Sequence, residues 1–383
     1  MLGALCACVI FLGTTPAAAL PPDKPAASPA GTAAAGRIHT GGDAGAYHMS
    51  FCPPVAEALA AGGYPQTCTP SLGTEDNMAR VRDAPADLAF GQFDVFVLRR
   101  PDFGGPRALT PVRVDDAREC IYAVTRNETL TSLGDIAVRA RQLRIVLPPK
   151  SSGSAGTFRF LQSIDRDLAA VREVINVETT EEAIRFALAA DDTIAVFVQF
   201  PDPDNARFRL VGELGGHFVP LIDRSILSQK IDGQYVYFAQ ETEVADARWL
   251  KKATSIVTAC TPIVLFTGAP GSFTNPQERA AQEARIGLLR KLQADKLLPK
   301  DSLLGLVLKK TRALSAAAAE NLISLSDKAR EKTGPLIEKA QEATSKALEG
   351  AKPHIDKAKE SGAKTLERAK DTVKDLIEPA KPE

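Results

Sequence analysis

Arg37-Ile-His-Thr-Gly-Gly-Asp-Ala-Gly-Ala-Tyr47 is the stretch whose reading decides the fold. A short strand ends at Ile38, a Thr-Gly-Gly turn follows, and apolar spacing from Tyr47 through Val55 and Leu59 predicts a helix. Such a turn presents unpaired backbone N–H groups. With the positive end of the helix behind them, these donors suit an anionic group of a small ligand. A second loop of similar chemistry, Pro148-Pro-Lys-Ser-Ser-Gly-Ser-Ala-Gly-Thr157, lies between a strand over 143–147 and a helix over 158–168. Taken singly, each loop reads equally well as a Gly-rich connecting turn. Two such loops on two α/β units predict two lobes that face one another.

The rest of the body alternates in the same way. Strands are expected at 66–70, 87–96, 118–125, 174–177 and 193–200, and further short strands at 208–213 and 218–222. Helices are expected after Thr74, which with its neighbours offers a cap, and over 180–190. The apolar strand over 256–267 carries the chain back toward its first half. Strands alternating with helices predict open α/β sheets, and in such sheets ligands sit beyond the carboxyl ends of the strands.

The chain of 383 residues has room for two domains and an extension. Its 47 basic and 47 acidic residues balance, so no global charge points to nucleic acid. Residues 1–20 combine an apolar core with small residues around Ala18 and Ala19, which predicts a signal peptide and export to the periplasm. That run is too short for a bilayer span. Residues 21–36, rich in Pro, Ala and Gly, read as a flexible leader. Beyond the signal stand Cys52, Cys68, Cys120 and Cys260, an even count that predicts disulfides in an exported protein. Cys52 and Cys68 flank one helix and the strand after it, and form one expected pair. Cys120 and Cys260 lie in two apolar strands and form the other. The alternative is that some of them are ordinary buried thiols.

Thr40-Gly-Gly-Asp-Ala-Gly-Ala-Tyr47, Gly73-Thr-Glu-Asp-Asn77, Ala86-Asp-Leu-Ala-Phe-Gly-Gln-Phe-Asp-Val95 and Ser154-Ala-Gly-Thr157 form a series. It resembles the successive motifs of the TAXI family, the extracytoplasmic solute receptors of TRAP-type transporters, over roughly residues 37–270. The resemblance implies a type 2 periplasmic binding fold: two α/β lobes joined by hinge strands, closing over a ligand. It also implies small organic acids, dicarboxylates or acidic amino acids, as ligands and a TRAP-type permease as partner. The long loop over 148–157, with Lys150 and extra serines, departs from the family pattern, as do the stretch over 201–208 and everything after 275.

The residues themselves agree with a carboxylate receptor. Amides of Gly41, Gly42, Gly156 and Thr157 and hydroxyls of Thr40, Thr74, Ser154 and Thr157 are neutral donors that hold an anion without a buried ion pair. Tyr47, Asn77, Gln92 and Gln199 supply orienting hydrogen bonds or an apolar wall. Asn77 reads also as a helix-packing or capping residue, Asp94 equally as a loop brace or a ligand contact, and Lys150 as an exposed side chain rather than a counter-ion. His39, His48, His217 and His354 form no metal-ligand spacing, and no P-loop or Gly-x-Ser-x-Gly pattern occurs. The sequence therefore reads as a binding protein without cofactor and not as an enzyme.

The expected organisation places a first lobe at 37–124, completed by about 256–275, and a second at 125–255. A helical connector follows at 276–328 and a tail at 329–383. The tail falls into 11-residue units beginning at Ala329, Ala340, Ala351, Gly362 and Val373. That period repeats one helical face, here a thin Ala-rich stripe suited to a membrane surface or a partner helix. Two functions follow: a receptor that delivers a small organic anion to a permease, or an envelope sensor or scaffold whose tail makes the contact.

Overall fold

The strand expected at Arg37 is β1 (Gly36–His39), and it lies parallel to both β2 (Gln66–Thr69) and β3 (Leu88–Gln92). The computed structural model describes residues 36–202, 204–245 and 254–293, with 323–324, 327–328 and 331. The expected signal peptide, the leader up to residue 35 and the repeats of the tail lie outside the described residues. Between β1 and β2, a five-residue π turn over Tyr47–Phe51 opens into α1 (Cys52–Ala61). Pro53 and Pro54 sit in the first turn of α1, where a missing N–H costs no helical bond. A disulfide ties Cys52 at its start to Cys68 in β2. Asp87 locks β1 to β3: its carboxylate accepts from Arg37 N at 3.0 Å and bonds His39 Nε2 at 2.9 Å.

Helix α2 (Thr74–Asp83) joins β2 to β3, and every residue of β3 is buried. The strand expected to run to Phe96 stops at Gln92, where the chain turns into α3 (Phe93–Arg99). Asp94 decides this locally: its Oδ1 accepts from Val95 N at 2.8 Å in the helix's first turn, and a short apolar run fits either period. Next comes β4 (Leu109–Thr125), of which only the second half was expected. The first half, with Pro111 and alternating charges at Arg113 and Asp115, looks like loop in the sequence but pairs with the returning strand.

The second half of the chain repeats the plan. Ser132 caps α4 (Leu133–Arg139), and β5 (Arg144–Leu147), α5 (Gly153–Ile164), α6 (Arg166–Ala169), β6 (Glu173–Asn176), α7 (Thr180–Ala187) and β7 (Thr193–Gln199) follow. Residues 208–213, expected as a strand, lie instead in α8 (Ala206–Glu213), because the Asn205 side chain accepts from Arg207 N and caps a helical turn. Then come β8 (His217–Val219), α9 (Arg224–Leu227), the hairpin of β9 (Lys230–Ile231) and β10 (Gln234–Tyr235), and β11 (Phe238–Ala245). The long β12 (Thr254–Gly268) returns antiparallel to β4.

The strand order is β2-β1-β3-β12-β4 in one lobe and β6-β5-β7-β4-β8 in the other. In each lobe the fourth strand in that order arrives from the other lobe and runs antiparallel to its neighbours. This is the two-lobed type 2 periplasmic binding fold, with β4 and β12 as hinge strands. Their pairing shifts between Pro262 and Ile263, whose partners are Arg118 and Asp115, so β4 carries a bulge at residues 116–117. Just beyond it, Cys120 and Cys260 are register partners and are joined by a disulfide. After β12, Asn275 caps α10 (Pro276–Lys291), whose Ile286 and Leu289 pack into a cluster with Ile38, Val55 and Leu59 of the first lobe.

Candidate functional site

The segments singled out in the sequence converge on one seam. From the first lobe come the turn after β1 (Thr40 to Gly42), the start of α2 (Gly73 and Thr74) and the end of β3 (Gln92). From the second come the loop after β5 with the first turn of α5 (Ser151 to Thr157) and the end of β7 (Gln199 and Phe200). All of them lie at the carboxyl ends of strands, where open α/β sheets bind ligands.

The lobes meet closely there. At Gly153 a Cβ would fall 1.9 Å from Gln92 Oε1, so only glycine admits the Gln92 amide at the first residue of α5. Gly73, at φ +125°, faces the backbone of Ser151 to Gly153, a conformation that side-chain-bearing residues rarely adopt. Phe200 of the second lobe stacks on Phe51, with centroids 5.1 Å apart, and meets Tyr47 edge-on at 5.9 Å. Tyr47 in turn stacks on Phe90 at 5.6 Å. At the rim, Arg159 of α5 pairs with Glu75 of α2.

Not every expected ligand group faces that seam. Thr40 Oγ1 donates to Thr69 O at 3.2 Å and Gly41 O accepts from Ser71 N at 2.8 Å, which fastens the turn after β1 to the loop after β2. Thr74 does not cap α2 with its side chain; its Oγ1 accepts from Gln92 N at 3.2 Å. Asn77 is fully buried and donates to Thr40 O and Phe90 O, so it braces two strand ends from within. Helix α5 begins at Gly153, earlier than expected, with Ser152 as its cap. Gly156 and Thr157 therefore lie inside a helix, and the Gly156 amide is spent on Ser152 O at 3.1 Å. Ser154 Oγ accepts from Val198 N at 2.9 Å, and Gln199 Oε1 from Arg207 at 3.4 Å. Lys150 is exposed.

Two carboxylates occupy the floor of the seam, and neither belongs to the expected ligand set. Asp94 is 0% exposed; its Oδ2 accepts from Thr157 Oγ1 at 2.6 Å and from Tyr237 OH at 2.9 Å, so it ties both lobes together. Burial raises its pKa, and the hydrogen bonds from Thr157, Tyr237 and the Val95 amide oppose that rise. Glu119, in hinge strand β4, is 8% exposed and accepts from Tyr47 OH at 2.6 Å. Burial pushes its pKa up to about 7, against hydrogen bonds from Tyr47 and Gln92 and with Asp94 adding like-charge repulsion. Burial raises the Tyr47 and Tyr237 hydroxyls well above their usual values, helped by Glu119 and Asp94 at Tyr47 and by Asp94 at Tyr237. The sequence signal for Glu119 was slight: one acid at the edge of the apolar run Cys120-Ile-Tyr-Ala-Val124.

Among the described residues no group of three or more His, Cys, Asp or Glu side chains is placed to hold a metal ion. No protein-family profile and no curated protein matches this chain. Solved structures align along most of its length at low identity. XAC2383 from Xanthomonas citri, bound to chloride ion, shares 13% identity over 78% of this chain and 99% of its own, at a TM-score of 0.42. A TctC solute-binding protein from Polaromonas shares 12% over 79% and 98%, at 0.40. The GluR0 ligand-binding core in complex with L-glutamate shares 10% over 73% and 99%, at 0.38. Likenesses of this size add nothing to the strand order and register, on which the fold rests.

Proposed function

We propose that this chain is an extracytoplasmic solute-binding receptor that captures a small organic acid between its lobes and delivers it to a TRAP-type membrane permease. The observation that supports this reading best is the convergence of polar groups from both lobes on one seam, with hinge strands β4 and β12 connecting the lobes. A ligand held there would meet the turn at Gly41 and Gly42, Tyr47 and Gln92 from one side, and the first turn of α5 from the other. Asn77 and Gly156 act as scaffold in this arrangement. The motif series that resembles the TAXI family supplies the TRAP partner and the choice among dicarboxylates and acidic amino acids. Two disulfides suit an oxidising compartment outside the cytoplasm, and no described helix is long and apolar enough to cross a membrane.

The test is thermal unfolding of the full chain, disulfides intact, against a panel of dicarboxylates and amino acids. A ligand at 100 times its Kd stabilises by about 2.7 kcal/mol. Stabilisation that Gln92→Ala removes, and that the exposed control Glu173→Ala keeps, is the expected result. A shift that Gln92→Ala leaves intact would place the ligand outside the seam.

A further inference from the structure

Besides its donors, the seam holds two buried carboxylates and, at Gln92, a buried amide oxygen without a partner. Glu119 is buried, and the groups acting on its charge are Tyr47, Gln92 and Asp94, none of them a cation. Among the described residues no ion pair joins either Glu119 or Asp94. Gln92 is 4% exposed; its amide bears on Glu119, and its Oε1 has no hydrogen-bond partner. An unpaired buried acceptor is costly, and here it stands beside a carboxylate in a place that both lobes enclose. A group with several donors satisfies both acceptors at once, and one that also carries a positive charge supplies the cation that Glu119 lacks, which is the description of an ammonium group.

The spacing agrees. The Tyr47 ring runs from Gly41, whose Cβ position lies 3.8 Å from Tyr47 Cδ2, to Glu119, which its hydroxyl binds. The Gln92 side chain links Glu119 to Gly153 at the start of α5. The amide-rich turns are thus each one side chain away from the acid. Behind Tyr47 the wall is apolar: its ring stacks on Phe90, and Phe51 stacks on Phe200.

We infer that the ligand of this seam is an amino acid, whose ammonium group is held by Glu119 and Gln92 while its carboxylate meets the turns, and that dicarboxylates are discriminated against. The inference rests on the receptor reading above. A dicarboxylate would set a second anion near Glu119 and Asp94 and leave Gln92 Oε1 without a donor. Glu119 is then the residue that chooses between two ligands of the same length and shape.

The experiment compares matched pairs on the full chain by calorimetric titration: L-glutamate with glutarate, and L-aspartate with succinate. The amino acid of at least one pair is expected to bind ten or more times tighter than its deaminated partner, and Glu119→Gln to bring the two within threefold. Equal or tighter binding of the dicarboxylate overturns the inference while leaving the receptor reading standing. Silence of all four ligands counts against the receptor reading as drawn, and the inference falls with it. Should Glu119→Gln fail to fold, Tyr47→Phe retains the carboxylate and removes the neutral donor on it. The preference for the amino acid is then expected to persist or grow, and its disappearance overturns the inference.

Discussion

Glu119 makes stability depend on pH in a direction opposite to that of most carboxylates. Its pKa in the folded chain is about 7, against an ordinary value of 4.5. Between those values the folded chain binds more protons than the unfolded chain, so stability falls as pH rises through that window. At full desolvation the loss is on the order of 3 kcal/mol. Asp94, shifted the same way, adds to it. Denaturant midpoints measured from about pH 5 to pH 8 should therefore decline, and Glu119→Gln should flatten most of the decline. A midpoint that rises over the same range would show Glu119 to be paired with a cation. At this scale the sequence was informative about which segments meet and silent about which atoms do so. The turn at Gly41 and Gly42 and the strand end at Gln92 were legible as places where segments meet, because turns and strand ends announce themselves in the sequence. Asp94 was legible as a brace; Glu119 was not, since a single acid at the edge of an apolar run acquires its meaning from burial that only the folded chain creates.

Elements were legible where length and capping agreed, and misread where a short apolar run fitted two periods. The strand β7, Thr193–Gln199, is buried throughout and reads as one unbroken apolar run. Residues 208–213 read as a short strand, yet Asn205 caps the turn before them into α8. The first half of β4 was missed because its polar residues belong to a lobe edge that another element covers. That covering element is α10, and Arg113 holds it. The Arg113 guanidinium donates from Nη1 to Leu289 O at 3.2 Å and Leu292 O at 2.9 Å, and so closes the carboxyl end of the helix. It also grips Asp115 through Nε at 2.8 Å. Arg113→Ala is expected to cost about 1–3 kcal/mol, read as a lowered unfolding midpoint. Arg113→Lys should recover only part of the loss, because a point charge cannot span both carbonyls and the carboxylate. Full recovery by lysine would mean that charge alone, without the fork, holds the helix end.

For the whole molecule the two hinge strands matter most, and the sequence revealed them through cysteines. Cys120 and Cys260 had been assigned to two apolar strands that approach one another, and they are register partners. Their separation of 140 residues makes the closed loop nearly the whole second lobe, so on the chain-entropy view the bond contributes about 5 kcal/mol. The Cys120→Ser, Cys260→Ser double variant is expected to lose several kcal/mol by denaturant titration, well beyond the loss from Cys52→Ser, Cys68→Ser, which opens a loop of separation 16. Equal losses from the two would point away from loop closure as the source. The lobe plan was legible from alternation and from the repeated loop chemistry; the way each lobe borrows a strand from the other was not, because strand order is a property of pairing.

The docking of α10 has a consequence for motion. Because that helix is packed on the first lobe and pinned there by Arg113, it moves as part of that lobe. Seen from α10, the first lobe stands still. In that frame of reference any turning of one lobe against the other is a turning of the second, with the bulge at residues 116–117 as its elbow and the Cys120–Cys260 bond as the stop that keeps the two hinge strands from sliding.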